Sequence, residues 1–156
     1  MTRMCAPMLA VMMLAPMAGM ACYGGPVTWN FAAHPVDAGT VRVELSAVCE
    51  PGWHIYSLAQ SGEEGPLPTV VTLDESPDYR VQGTVAEPVP VEAMDAAFGL
   101  VVQYHAGTTS FTQAVERGSA QPFTVSGRVD YMACNDRTCL PPHSVRFSVD
   151  IPAYSK

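Results

Sequence analysis

The chain has 156 residues, with fifteen acidic side chains against eight basic ones and a formal charge of −7 at neutral pH. Such an acidic surface repels phosphate backbones and anionic headgroups, which makes nucleic acid and acidic membrane surfaces unfavourable partners. Residues 1–21 read as a secretory signal: an early Arg3, a long apolar run, and small residues at Gly19 and Ala21 before a cut. Pro7 and Pro16 interrupt the run and a globular sequence follows it, which argues against a permanent membrane span. Seven of the nine methionines fall in this segment, so the Met-rich composition carries no copper signal. The remainder, 22–156, keeps seven basic residues against fifteen acidic ones, a charge of −8, and is long enough for one domain with a single core.

Export places the four remaining cysteines, Cys22, Cys49, Cys134 and Cys139, where disulfides form and persist. Cys22 follows the expected cut directly, where a lipoprotein carries its acylated cysteine. The preceding Gly19-Met20-Ala21 lacks the usual apolar residue three positions before it. Two alternatives stand for Cys22: a lipid anchor, the only membrane attachment expected, or a structural bridge to Cys49.

Period-two alternation then runs along the chain with no sustained helical period. Strands are expected over residues 27–31 and over VRVELSAV, where Val41, Val43, Leu45 and Ala47 share one face. Further strands are expected over 53–58, 69–73 and 79–85. VEAMDAAF, 91–98, is the one segment that could hold a helical turn, and strands follow over 100–104 and 111–115. In FTVSGRVDY, Phe123, Val125, Val129 and Tyr131 face inward, as do Val145, Phe147, Val149 and Ile151 in VRFSVDI. SGEEGPLP, DESPD, HAGTT and ERGSAQP supply the reversals between them. The pattern predicts an all-β protein, an immunoglobulin-like antiparallel β-sandwich.

Cys134 and Cys139 enclose Asn135, Asp136, Arg137 and Thr138, a polar, turn-favouring loop between two strands. They should oppose each other across a hairpin, where Cα atoms about 4.5 Å apart allow a bridge. A bond closing so small a loop removes little unfolded-state entropy, which favours a redox role over a purely structural one. The spacing alone remains compatible with a structural hairpin disulfide. A metal site adding His143 lacks the second Cys or His cluster that a tetrahedral shell needs.

The segment YMACNDRTCLPP resembles the active-site hairpin of the DsbD N-terminal domain family, a cysteine pair on a short loop followed by Pro-Pro. PGWHIYS at 51–57 is similar to that family's early aromatic strand, PLPTVVTL at 66–73 to the strand after it, and MDAAFG at 94–99 to its cap loop. The resemblance implies a carrier that accepts electrons from a thioredoxin-like donor and passes them to oxidised envelope proteins, with no cofactor. Cys139 would form mixed disulfides with partners and Cys134 would resolve them. The sequence holds no membrane reductase portion and no C-x-x-C domain, so the donor is expected to be a separate protein.

Five further residues follow from the same likeness. His54 and Tyr56 share one face of their strand and would approach the cysteines, where an imidazole or hydroxyl could hydrogen-bond a thiolate; otherwise that face meets solvent. Arg137 could favour the thiolate. Phe98 would be a lid over the sulfurs, or else a residue that packs a corner, and Asp95 would disfavour the thiolate while the lid is closed. The competing function is a non-catalytic binding or assembly sandwich whose Cys134–Cys139 bond is structural.

Overall fold

The computed structural model describes residues 22–59 and 64–154, with side chains from residue 25 onward. Residues 1–21, expected to be a secretory signal, lie outside the described residues. Twelve strands follow in order: β1 Cys22–Gly24, β2 Val27–Pro35, β3 Thr40–Cys49, β4 His54–Tyr56, β5 Val70–Leu73, β6 Tyr79–Ala86, β7 Val91–Asp95, β8 Leu100–Ala106, β9 Thr108–Arg117, β10 Phe123–Tyr131, β11 Ala133–Cys134 and β12 His143–Ile151. All ladders are antiparallel and form three sheets, of order β1-β2-β3-β9-β6, β12-β10-β5 and β11-β4-β8-β7.

The alternation legible in the sequence fixes which faces are buried. Val41, Val43, Leu45 and Ala47 of β3 are buried, as are Phe123, Val125, Val129 and Tyr131 of β10. They meet Val145, Phe147 and Ile151 of β12, while Val149 is half-buried against the same core. Aromatic contacts tie the two layers together: the Trp29 and Tyr131 rings lie 5.5 Å apart and Phe31 stacks on Phe147 at 4.7 Å. This is an immunoglobulin-like β-sandwich.

The four-stranded sheet has two working faces. Ile55 and Ala133 turn toward the main core with His105, whose ring packs edge-on to Phe111 at 5.6 Å. Tyr56, Val102 and Cys134 turn the other way and form a second, smaller apolar cluster with Phe98, Leu100, Tyr104, Met132 and Cys139.

Two expectations are corrected. VEAMDAAF is not helical: Val91–Asp95 is edge strand β7, paired with β8, and only 96–99 turn. Its Glu, Ala and Met are good helix formers, but the ladder with Leu100, Val102 and Tyr104 overrides that preference. A Cys22–Cys49 bridge does not occur either. Cys49 is free and buried, and β2 lies between β1 and β3, which separates the two backbones by two strand spacings of about 4.8 Å each. That exceeds the reach of a disulfide.

Candidate functional site

The site is made where the chain changes sheets. The β10–β12 ladder ends at the pair Tyr131↔His143, and the connection between them carries β11 across to β4. Tyr131 faces the main core, so with a period of two Ala133 faces it as well and Cys134 faces away. Cys134 thereby enters the second cluster, opposite His54 on β4.

Cys134 and Cys139 form a disulfide with Cα atoms 4.0 Å apart. They are bridge partners in a small hairpin, flanked by Asn135 N–H donating to Thr138 O at 2.9 Å and Leu140 N–H donating to Ala133 O at 2.9 Å. The cysteines thus occupy the non-hydrogen-bonded position between two ladder bonds, where side chains come closest. Asn135 shapes the loop, its Oδ1 accepting the amides of Arg137 and Thr138 at 2.9 Å each. Arg137 enters the site only through that backbone bond, and its side chain is exposed. The two sulfur residues are unequal: Cys134 is 1 % exposed, whereas Cys139 is half-buried.

The polar face of β4 is only partly open to solvent. Tyr56 is buried and His54 half-buried; His54 packs on Tyr104 of β8, and Tyr56 on Phe98 of the loop that follows β7. Tyr56 Oη donates to Asp95 Oδ2 at 2.8 Å, and His54 Nε2 lies 3.4 Å from Tyr56 Oη. Burial lowers the His54 pKa, an effect that the carboxylates of Asp95 and Asp136 oppose. Burial, the hydrogen bond to Asp95 and that carboxylate's charge all push the Tyr56 phenol upward.

Asp95 organises the loop above the disulfide. Its Oδ1 accepts the Ala97 amide at 2.8 Å and the Phe98 amide at 3.4 Å, and its carbonyl accepts from Gly99 N–H at 2.8 Å. Gly99 has φ +68°, a conformation that favours glycine and reverses the chain into β8. Phe98, carried at the loop's end, is half-buried and edge-on to Tyr56 at 6.2 Å, in the cluster that holds both cysteines. Beside the loop lies a cleft of about 320 Å³ lined by His54, Met94, Asp95, Tyr104 and Asp136, among others.

Sequence reasoning missed Tyr104, Val102, Met132 and Asp136. The first two share a face of an expected strand, and the alternation of Leu100, Val102 and Tyr104 was the available signal. Met132 and Asp136 gain their roles from the sheet change, for which the sequence carries no local mark. His143 sits outside the site, opposite Tyr131 with rings edge-on at 6.2 Å. Among the described residues no group of three or more His, Cys, Asp or Glu side chains is placed to hold a metal.

Fold and site together define a disulfide-bearing immunoglobulin-like domain, with one buried and one half-buried cysteine in a hairpin on its small sheet. The chain belongs to the family described as Thiol:disulfide interchange protein DsbD, N-terminal, which matches residues 26–151. Among solved structures, the N-terminal periplasmic domain of ScsB from Proteus mirabilis is similar at 19% identity and TM-score 0.53. That likeness covers 81% of this chain and 47% of that one. The reduced DsbD N-terminal domain of Neisseria meningitidis is similar at 17% identity and TM-score 0.49, covering 77% of this chain and 82% of that one. No curated protein matches the sequence.

The third cysteine whose side chain is described stays apart from this pair. Cys49 lies in the main core, 7 % exposed, and burial raises its pKa to about 11. Iodoacetamide should therefore leave Cys49 unmodified in the folded, reduced protein and label it once denaturant is added. Peptide mapping that finds Cys49 alkylated as fast as Cys139 under native conditions would contradict its placement.

Proposed function

We propose that the domain carries electrons in the cell envelope, taking them from a thioredoxin-like donor and passing them to oxidised envelope proteins through Cys134 and Cys139. The unequal burial of the pair supports this most directly. An exchange carrier needs one sulfur that a partner can reach and a second, shielded sulfur that attacks only within the mixed disulfide. Cys139 fits the first role and Cys134 the second. Export by segment 1–21 would place residues 22–156 in the oxidising compartment where such traffic occurs.

In one turnover, the Cys139 thiolate attacks a partner's disulfide and one partner thiol leaves. Cys134 then attacks Cys139 Sγ, the Cys134–Cys139 bond forms, and the second partner thiol leaves. Two electrons pass to the partner, and the reverse sequence with a dithiol donor recharges the pair. Phe98 closes the site between encounters, and Asp95, bonded to Tyr56 and to the loop amides, holds that loop down.

Cys134→Ala should fold and leave Cys139 as a trap that accumulates mixed disulfides with envelope proteins. Recovery of no disulfide-linked partner from either single cysteine variant, in cells that contain the folded domain, would favour a structural bond and a binding or assembly role instead.

Removing the lid ring tests the loop. Phe98→Ala should speed alkylation of the reduced pair about tenfold or more while stability changes little. A loss of about 3–5 kcal/mol, with thiols no more reactive once unfolding is accounted for, would make Phe98 a packing residue.

A further inference from the structure

Cys134 lies 1 % exposed among Tyr56, Val102 and Phe98. Apolar surroundings disfavour a thiolate, which loses its hydration there and gains no cation in exchange. Resolution of a mixed disulfide on Cys139 nonetheless requires Cys134 as a thiolate. A group within reach must accept the proton.

The register supplies that group. Cys134 is the direct partner of His54, and directly opposed residues of an antiparallel pair share a face with Cβ atoms about 4.5–5.5 Å apart. The imidazole is held from two sides. Its ring packs on Tyr104 at 4.8 Å, and Nε2 lies 3.4 Å from Tyr56 Oη. Tyr56 commits its own proton to Asp95 at 2.8 Å, so its oxygen is left to accept from Nε2–H, and Nδ1 keeps a free lone pair. A base oriented by a third group in this way is a recurring arrangement for activating a sulfur or oxygen nucleophile.

The groups facing His54 are Tyr56 from its own strand, Tyr104 from β8, Asp95 at the end of β7, and Cys134 and Asp136 from β11 and its loop. Both carboxylates favour the imidazolium that forms when a proton arrives, and burial keeps the resting imidazole neutral. We infer that His54 takes the thiol proton of Cys134 in the resolving step and returns it when electrons flow the other way, an inference that rests on the carrier function above. The Cys134 S–H bond breaks and N–H forms on His54; Cys134 Sγ bonds to Cys139 Sγ; the partner thiolate leaves and collects the proton from imidazolium or water.

The reduced protein can be mixed with 5,5′-dithiobis(2-nitrobenzoate), a small disulfide that forms an adduct on Cys139 and is then expelled by Cys134. Mass spectrometry of quenched samples follows the adduct. His54→Gln should leave adduct formation within about twofold of the parent but prolong its lifetime about 10²-fold at neutral pH, the low end of a positioned general base. In the parent, the resolving rate should fall as acid protonates His54, with an inflection below neutrality that the variant lacks. His54→Phe, which keeps the packing on Tyr104, repeats the comparison if the Gln variant unfolds. Equal adduct lifetimes in parent and folded variant, or a parent profile without that inflection, would overturn the inference. Absence of any adduct on Cys139 in the parent itself would instead overturn the carrier function on which it rests.

Discussion

Cys134 stands in two antiparallel pairings at once, opposite His54 of β4 on one side and opposite Cys139 on the other. Everything at the site depends on that double pairing. It exists because the chain leaves the β10–β12 ladder after Tyr131 and lends two residues to a different sheet. Strand parity does the rest. Ala133 continues the inward phase of β10 and fills the main core, whereas Cys134 points to the second cluster. An insertion of one residue before Cys134 would reverse both, burying the sulfur beneath Trp29 and Tyr131 rather than beside His54 and Tyr56.

The same geometry sets the chemical temper of the site. Its nearest charges are the carboxylates of Asp95 and Asp136, and the one cation in the loop, Arg137, projects into solvent. Negative neighbours and apolar walls favour thiols over thiolates. On the proposed carrier function, such a setting would keep a reduced pair quiet toward stray oxidants, with Phe98, packed on Tyr56 in the same cluster, as a steric cover. The proposed function would then grant reactivity at the moment of partner contact, by displacement of the ring and by a local base. Asp95 links the two, since one carboxylate oxygen holds the loop amides and the other holds the Tyr56 hydroxyl that orients His54.

Much of the fold was legible because burial in a two-layer sandwich imposes a period of two on long strands. Val41 to Ala47, Phe123 to Tyr131 and Val145 to Ile151 showed it plainly, and the hairpin residues 135–138 announced a turn through Asn135. The edge strand Val91–Asp95 was misread because it alternates weakly: an edge strand faces water along much of its length, and Met94 is 68% exposed. Two-residue β11 is too short to show any period. Tyr56 and Asp95, thirty-nine positions apart, meet only because β4 and β7 flank β8. Such a pairing is a property of sheet order, which local pattern does not encode. The likeness of 94–99 to a cap loop pointed to a segment that does lie beside the cysteine cluster, through Phe98, where periodicity gave no signal.

Whether the Cys134–Cys139 bond works or merely braces the hairpin is decided by its reduction potential. Equilibration of the domain in glutathione buffers of graded ratio, quenched with acid and read by mass, measures it directly. A carrier requires a potential above about −300 mV, within range of envelope thiols, with the pair passing cleanly between disulfide and dithiol while the sandwich stays folded. A potential below about −300 mV, or reduction only when the sandwich unfolds, would contradict electron exchange as the role of this pair.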